Sequence, residues 1–222
     1  MTIAYQATGT PANGTGAITV AWPAHQSGDF GILVCGCEAG ETISLSTANG
    51  FVETSGSPKN GAFSHIALFW CRATSSSMAS PVVADPGNNV VGAIVTFRGA
   101  TGSPTPINAF TNGVDTTTST LTIGGVTTTQ NNCMIIAAVD TDLNTSNQYS
   151  NWANANLVSC TEWLDYGSSS GDNNHIAVAG GVKAVAGATG NITATGANNR
   201  DSSYIVLAIM SGGGGGLFLF SS

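Results

Sequence analysis

The chain has 222 residues, of which 42% are hydrophobic and 8% charged, with 29 glycines and a formal net charge of −7. A soluble domain ordinarily carries about 25% charged residues, so this surface is built mainly from uncharged Ser, Thr, Asn and Gly, and charge-driven disorder is excluded. The five basic residues, Lys59, Arg72, Arg98, Lys183 and Arg200, are scattered among twelve acids, which argues against nucleic acid as a partner.

The start, MTIAYQATGTPANG, has neither a basic region nor an apolar run before a small-residue cleavage site, so no secretory signal is expected. Residues 3 to 22 read as a hairpin, IAYQAT and AITVAW around TPANGTG, with Pro11 presetting a turn and Asn13-Gly14 tolerating positive φ. Further strand-length runs rich in β-branched and aromatic residues follow at 30–38, 63–73, 90–99, 119–125, 133–140, 175–184, 191–196 and 203–210. In FGILVCGC, Phe30, Ile32 and Val34 share one face and Leu33, Cys35 and Cys37 the other, which predicts a central strand covered on both sides. In TSTLTIGG, Leu121 and Ile123 point one way and the threonines the other, as in a strand with one wet face. Residues 150 to 167, SNWANANLVSCTEWLDYG, read as a loop with a helical turn, anchored by Trp152, Leu157 and Trp163.

These runs predict an all-β chain, a single jelly-roll-like antiparallel β-sandwich over residues 1–210, followed by a Gly-rich tether with an apolar segment over 211–222. The inner faces are expected to include Ile32, Val34, Leu68, Trp70, Val95, Ile135, Val178, Val206 and Ala208. The longest apolar runs, CMIIAAV and YIVLAIM, are far shorter than the roughly 18 residues that cross a bilayer. Five cysteines, Cys35, Cys37, Cys71, Cys133 and Cys160, form an odd set, and several lie in apolar runs where they read as small buried hydrophobes of a chain folded in a reducing cytoplasm.

Residues that could carry chemistry are few. His25, His65 and His175 stand in no metal-ligand motif and are read as structural. His25, Ser27 and Asp29 lie within five residues, but a triad is defined by geometry in space, and a self-bonded loop explains them better. Glu38 with Glu41, and Glu162 with Asp165, are three apart, whereas an acid/base pair on one strand face needs a spacing of two. Asp140, Asp142 and Asn144 resemble the first half of a calcium loop, which then fails at Thr145 and Asn151, where the turn glycine and the bidentate glutamate belong. The cysteines lack the paired two-residue spacing of a thiolate metal site, and no phosphate-binding glycine loop opens a helix. No cofactor is therefore expected.

Five pieces in order carry a resemblance: Trp22-Pro23, His25 to Asp29 before a central strand, Gly50-Phe51, Phe69 to Thr74, and Phe97-Arg98-Gly99. Together with the segment from Trp152 to Thr195 they resemble a group of uncharacterised β-sandwich structural proteins of tailed bacteriophages. The resemblance covers nearly residues 1 to 210 and implies a non-enzymatic virion component, made in the host cytoplasm, decorating the capsid or attached near the tail. Its partners would be other virion proteins and copies of itself. The alternative expectation is a glycan-binding module for host recognition, with sugar rings stacked on Trp152 and Trp163.

The end of the chain differs from everything before it. Five glycines precede Leu217, Phe218, Leu219 and Phe220, and a Gly-rich segment is flexible coil. A free apolar patch in water invites aggregation, so these four residues are read as a partner-binding element. Burying about 500 Å² of apolar surface is offset by the entropy of ordering the tether. Pairing with the exposed sheet edge of a neighbour adds backbone hydrogen bonds, which favours a homo-oligomer; the resemblance to phage surface proteins implies a trimer.

Overall fold

The computed structural model describes residues 2–116, 119–171, 173–196 and 201–212. Among them every regular element is a strand. The first half holds β1 (Ala4–Thr8), β2 (Ala12–Gly14), β3 (Ile18–Thr19), β4 (Phe30–Glu38), β5 (Leu45–Thr47), β6 (Val52–Glu53), β7 (Lys59–Asn60), β8 (Ser64–Arg72), β9 (Val82–Val83) and β10 (Val90–Arg98). The second holds β11 (Ile107–Asp115), β12 (Thr120–Ile123), β13 (Thr127–Thr128), β14 (Cys133–Thr141), β15 (Tyr149–Ala153), β16 (Val158–Ser168), β17 (Asn174–Lys183), β18 (Gly187–Ala188), β19 (Ile192–Gly196) and β20 (Ser202–Ile209).

The fold is an all-β antiparallel sandwich with four layers. Two inner sheets, ordered β1-β10-β4-β8-β6 and β11-β20-β14-β17-β16, face each other, and each is covered outside by a small sheet, β3-β9-β5 or β12-β19-β15. Each inner sheet comes from one half of the chain, and the halves follow one plan. The long strands β1, β4, β8, β10 stand in the order first, fourth, second, third, and so do β11, β14, β17, β20; both outer sheets run first, third, second. The register agrees in detail: Cys37 pairs with His65 as Thr141 pairs with His175. A bulge between Tyr5 and Ala7 in β1 recurs between Ile107 and Ala109 in β11. The molecule is thus a structural repeat packed against itself, and Ser-His-Ile-Ala-Leu (64–68) against Asn-His-Ile-Ala-Val (174–178) is its trace in the sequence.

Alternation along the strands makes three cores. Phe30, Ile32, Val34, Leu68 and Val95 meet Ile136, Val178 and Leu207 between the inner sheets, and Trp70 packs on this cluster half-buried. Leu33, Cys35 and Cys37 turn the other way into the first outer layer. Ile135, Val206 and Ala208, expected between the two sheets, instead pack outward with Leu121 and Ile123 under the second outer layer. They were misplaced because a strand buried on both faces carries no polar residue to say which face is which.

Two further expectations fail locally. Residues 3 to 22 do not close a hairpin: β1 and β2 both pair with β10, and β3 pairs with β9. The segment 150–167 is not a helical loop but mostly strand, β15 and β16, interrupted by positive-φ bends at Asn151 and Ser159. Those bends and the register shifts beside them break the alternation that would have marked the strands.

At one end the aliphatic interior gives way to a polar row. Ser64 and Ser203 share a buried hydrogen bond of 2.8 Å, and Gly36 leaves space for the side chains of Asp140 and Asn174. A Cβ at Gly36 would lie well inside van der Waals contact with Asp140 Oδ1 and 2.7 Å from Asn174 Oδ1.

Candidate functional site

Because the halves repeat, the sandwich has two equivalent flanks. On one, β1 faces β16, where a bulge between Glu162 and Leu164 inserts Trp163. Its ring stacks on Tyr5 at 5.3 Å and meets Phe97 edge-on at 5.2 Å. It lies over Gly180, where a Cβ would be 2.9 Å from Trp163 Cη2. Thr8 Oγ1 donates to Trp163 O at 2.9 Å and Asn13 Nδ2 to Tyr166 Oη at 2.5 Å, so this flank is closed.

On the other flank β11 faces β6, which has only two residues and no inserted tryptophan. Ile107 and Ile209 stand here in the places of Tyr5 and Phe97. What remains is an open groove of about 580 Å³ between two sheet edges, lined by Val52, Trp70, Ile107, Ala109 and Phe110 and rimmed by Glu53, Ser55, Thr105 and Asn108. Val52 is 50% and Phe110 49% exposed, an unusual exposure for apolar side chains that line one hollow. Phe110 lies against Gly56, whose φ of +82° excludes other residues at little strain, and Asn112 Nδ2 donates to Gly56 O at 2.6 Å. These contacts fix one wall of the groove to the other. The outer edge of β11 has no strand beside it among the described residues.

The residues singled out in the sequence go elsewhere. His25 Nδ1 bonds Pro23 O at 2.7 Å and Nε2 accepts from Met78 N–H at 3.1 Å, which fixes the ring in place. Asp29 is buried, takes both N–H groups of Arg98 at 2.7 and 2.8 Å, and accepts from Gln26 N–H at 2.8 Å. Burial alone would raise the Asp29 carboxyl, but the Arg98 fork and the Gln26 amide hold it below the usual range. Ser27 is no part of a triad with them. His65 Nδ1 bonds Glu41 O at 2.5 Å, and His175 Nε2 bonds Asp165 Oδ1 at 2.6 Å.

Glu162 and Asp165 correct the spacing argument. The bulge at Trp163 absorbs one residue, so their partners on β17, Ala179 and Ala177, are two apart and both carboxyls lie on one face. Their environments differ: burial raises Glu162, which accepts from Trp152 Nε1–H at 2.7 Å. Asp165, despite burial, is held low by His175 and by the Gln148 and Tyr149 amides. Both Asp165 oxygens are already engaged, so it is a structural acceptor rather than a free nucleophile.

Asp140 does not join Asp142 and Asn144. Its carboxyl is fully buried in the interior, whereas Asn144 is exposed, and no cluster of three His, Cys, Asp or Glu able to hold a metal occurs among the described residues. Asp140 Oδ2 accepts from His65 N–H at 3.0 Å. Its Oδ1 and Asn174 Oδ1, both above Gly36, have no other partner. Burial pushes this carboxyl well above the ordinary range, which favours the protonated acid with its O–H donor. Burial likewise raises the thiols of Cys35, Cys37, Cys71, Cys133 and Cys160, so none is a poised nucleophile.

Of the tryptophans expected to stack on sugars, Trp152 is buried and Trp163 half-buried. Trp152 is 9% exposed and meets Tyr149 edge-on at 5.7 Å, and both neighbours of Trp163 are aromatic rings of its own chain. Leu217 to Phe220 lie outside the described residues. Sequence reasoning missed the groove, because it arises from the absence of a bulge that only the repeat makes visible. No family model, curated protein or solved structure matches the chain.

Proposed function

We propose that the chain is a non-enzymatic structural protein of a tailed-phage virion, decorating the capsid surface or attached near the tail. The observation that carries this reading is where the residues of the resemblance are spent. Trp22 lies over Gly31 and against Phe51 at 5.1 Å, and Gly50 supplies a φ of +90° for the turn before Phe51. Asp29 locks Arg98, while Arg72 donates to Gly28 O at 3.1 Å and to Thr101 O. These are fasteners of a frame. A motif whose polar groups are consumed by the fold serves a shape, and a shape of low charge suits repeated contact, because little charge must be desolvated at each interface.

The measurement is the copy number of the chain in gradient-purified particles, by quantitative mass spectrometry. Many copies per particle are expected, and particles without the chain would overturn the reading. A saturable glycan-array hit would replace it with host recognition.

A further inference from the structure

We propose that the groove between β6 and β11 is the seat of the Leu217–Phe220 segment of a second copy of the chain, so that copies join tail to groove. This goes beyond the virion reading and stands or falls independently of it.

Three observations converge on that occupant. The first is the closed flank, which shows what this architecture places beside the first long strand of a half: an aromatic side chain, Trp163, packed on Tyr5 and Phe97. The equivalent flank beside Ile107 has Trp70 from its own third long strand, and beyond that ring it leaves an open groove with apolar walls and a polar rim, which two leucines and two phenylalanines would fill. The second is position in the repeat. Counting from the fourth long strand, Arg98 corresponds to Met210, so Leu219 stands where Ile107 opens β11 in the preceding half. An apolar segment falls where this plan begins an edge strand. In an extended chain Leu217 and Leu219 face one way and Phe218 and Phe220 the other, which suits a strand added along the free edge of β11 with alternate side chains in the groove.

The third observation decides whose groove is filled. The described chain ends with Thr101 N–H donating to Met210 O at 2.9 Å and Gly212 N–H donating to Gly99 O at 2.7 Å. This leads it toward β10 and the closed flank. Met210 N–H also donates to Pro106 O at 2.8 Å, so the chain has already passed the start of β11 when it reaches Gly212. To enter its own groove the segment would have to turn back within five residues, whereas the groove of a neighbour asks for no reversal. The contact is heterologous, so copies close into a ring or extend as a chain.

The test is light scattering after size exclusion on three folded proteins: the full chain, a chain ending at Gly212, and full-length Val52→Glu, which places a charge in the groove at an exposed position. The full chain should be oligomeric and each altered protein monomeric. An equimolar mixture of the two should associate, because one contributes a groove and the other a tail. A monomeric full chain, a truncation that leaves the mass unchanged, or a mixture that stays monomeric while both proteins keep their β-type circular dichroism overturns the proposal. Protection of the tail from protease in a monomeric full chain, lost in Val52→Glu, would show docking within one copy and would equally overturn it.

Discussion

The two halves of the molecule share strand order, register and bulge position, and the places where they differ separate what the plan requires from what each half adds. His65 and His175 occupy the same place and both bind an acceptor oxygen. Gly36 and Asp140 also occupy the same place but are opposites, one vacating the volume that the other fills. Asp29 and Arg98 form a buried-to-surface ion pair in the first half, where the second has Cys133 and Met210. Tryptophan volume is redistributed: the first half sets Trp70 on its third long strand, whereas the second sets Gly180 there and brings Trp163 in from a bulge. Where equivalent positions meet across the contact, as Gly36 and Asp140 do, a large side chain on one half requires a small one on the other.

The sharpest way to break that division is to make the halves more alike. Gly36→Val puts branched carbons into the space of the buried side chains of Asp140 and Asn174. The expected loss is about 4 kcal/mol, beyond ordinary overpacking because polar groups are displaced as well. Urea denaturation should show this loss, and Gly36→Ala combined with Asp140→Ala should recover much of what Gly36→Ala alone loses. A strictly additive double mutant would mean that the two positions do not share the space.

Trp163→Ala comes next. It should open on the β1 flank a groove like the one already present beside β11, at a cost of about 3 kcal/mol, the low end for tryptophan truncation because the ring is half-buried. A loss below about 1 kcal/mol would show that the bulge does not seal the flank. The ion pair peculiar to the first half is worth less: Asp29→Ala should cost about 2 kcal/mol from its hydrogen bonds to Arg98 and Gln26. Because the Asp29 carboxyl is held below its ordinary range, its contribution is present above an unfolded pKa of about 3.9 and is lost as pH falls through the lower folded value. Wild type and variant should therefore converge in acid.

Much of this frame is legible in the sequence. Strands at 30–38, 90–99, 133–140 and 203–210 are unbroken apolar runs bounded by turn residues, and they are found as β4, β10, β14 and β20. The segment around Trp163 was illegible because a bulge shifts the two-residue period that reveals strands, and the same shift hid the shared face of Glu162 and Asp165. Pairing partners of β1 were illegible for another reason: Asn13-Gly14 gives a strong local turn signal, but Tyr5 finds Phe97 and Trp163, and tertiary burial outweighs a turn preference. The polar row at Gly36, Asp140 and Asn174 joins residues more than a hundred apart in a space between two sheets, for which a linear pattern has no signal.

The smallest effect is also the most specific. Asp140→Asn keeps the shape of the side chain, an acceptor for His65 N–H and a donor on its other arm, so it reproduces the protonated acid without its titration. Burial raises the folded pKa of Asp140, and nearby Asp142 and Asp201 raise it further, against the lowering effect of the His65 amide. The folded protein therefore keeps a proton that the unfolded chain releases above a pKa of about 3.9, and stability falls as pH rises from there toward the folded value. At pH 4 wild type and variant should differ by less than about 0.5 kcal/mol, and toward neutrality the variant should become the more stable of the two. Glu162, also raised by burial, tilts both profiles alike and cancels in their difference. Denaturation midpoints across that range decide the matter: a difference that does not change with pH would mean that Asp140 is ionised in the fold, and that burial does not hold its proton there.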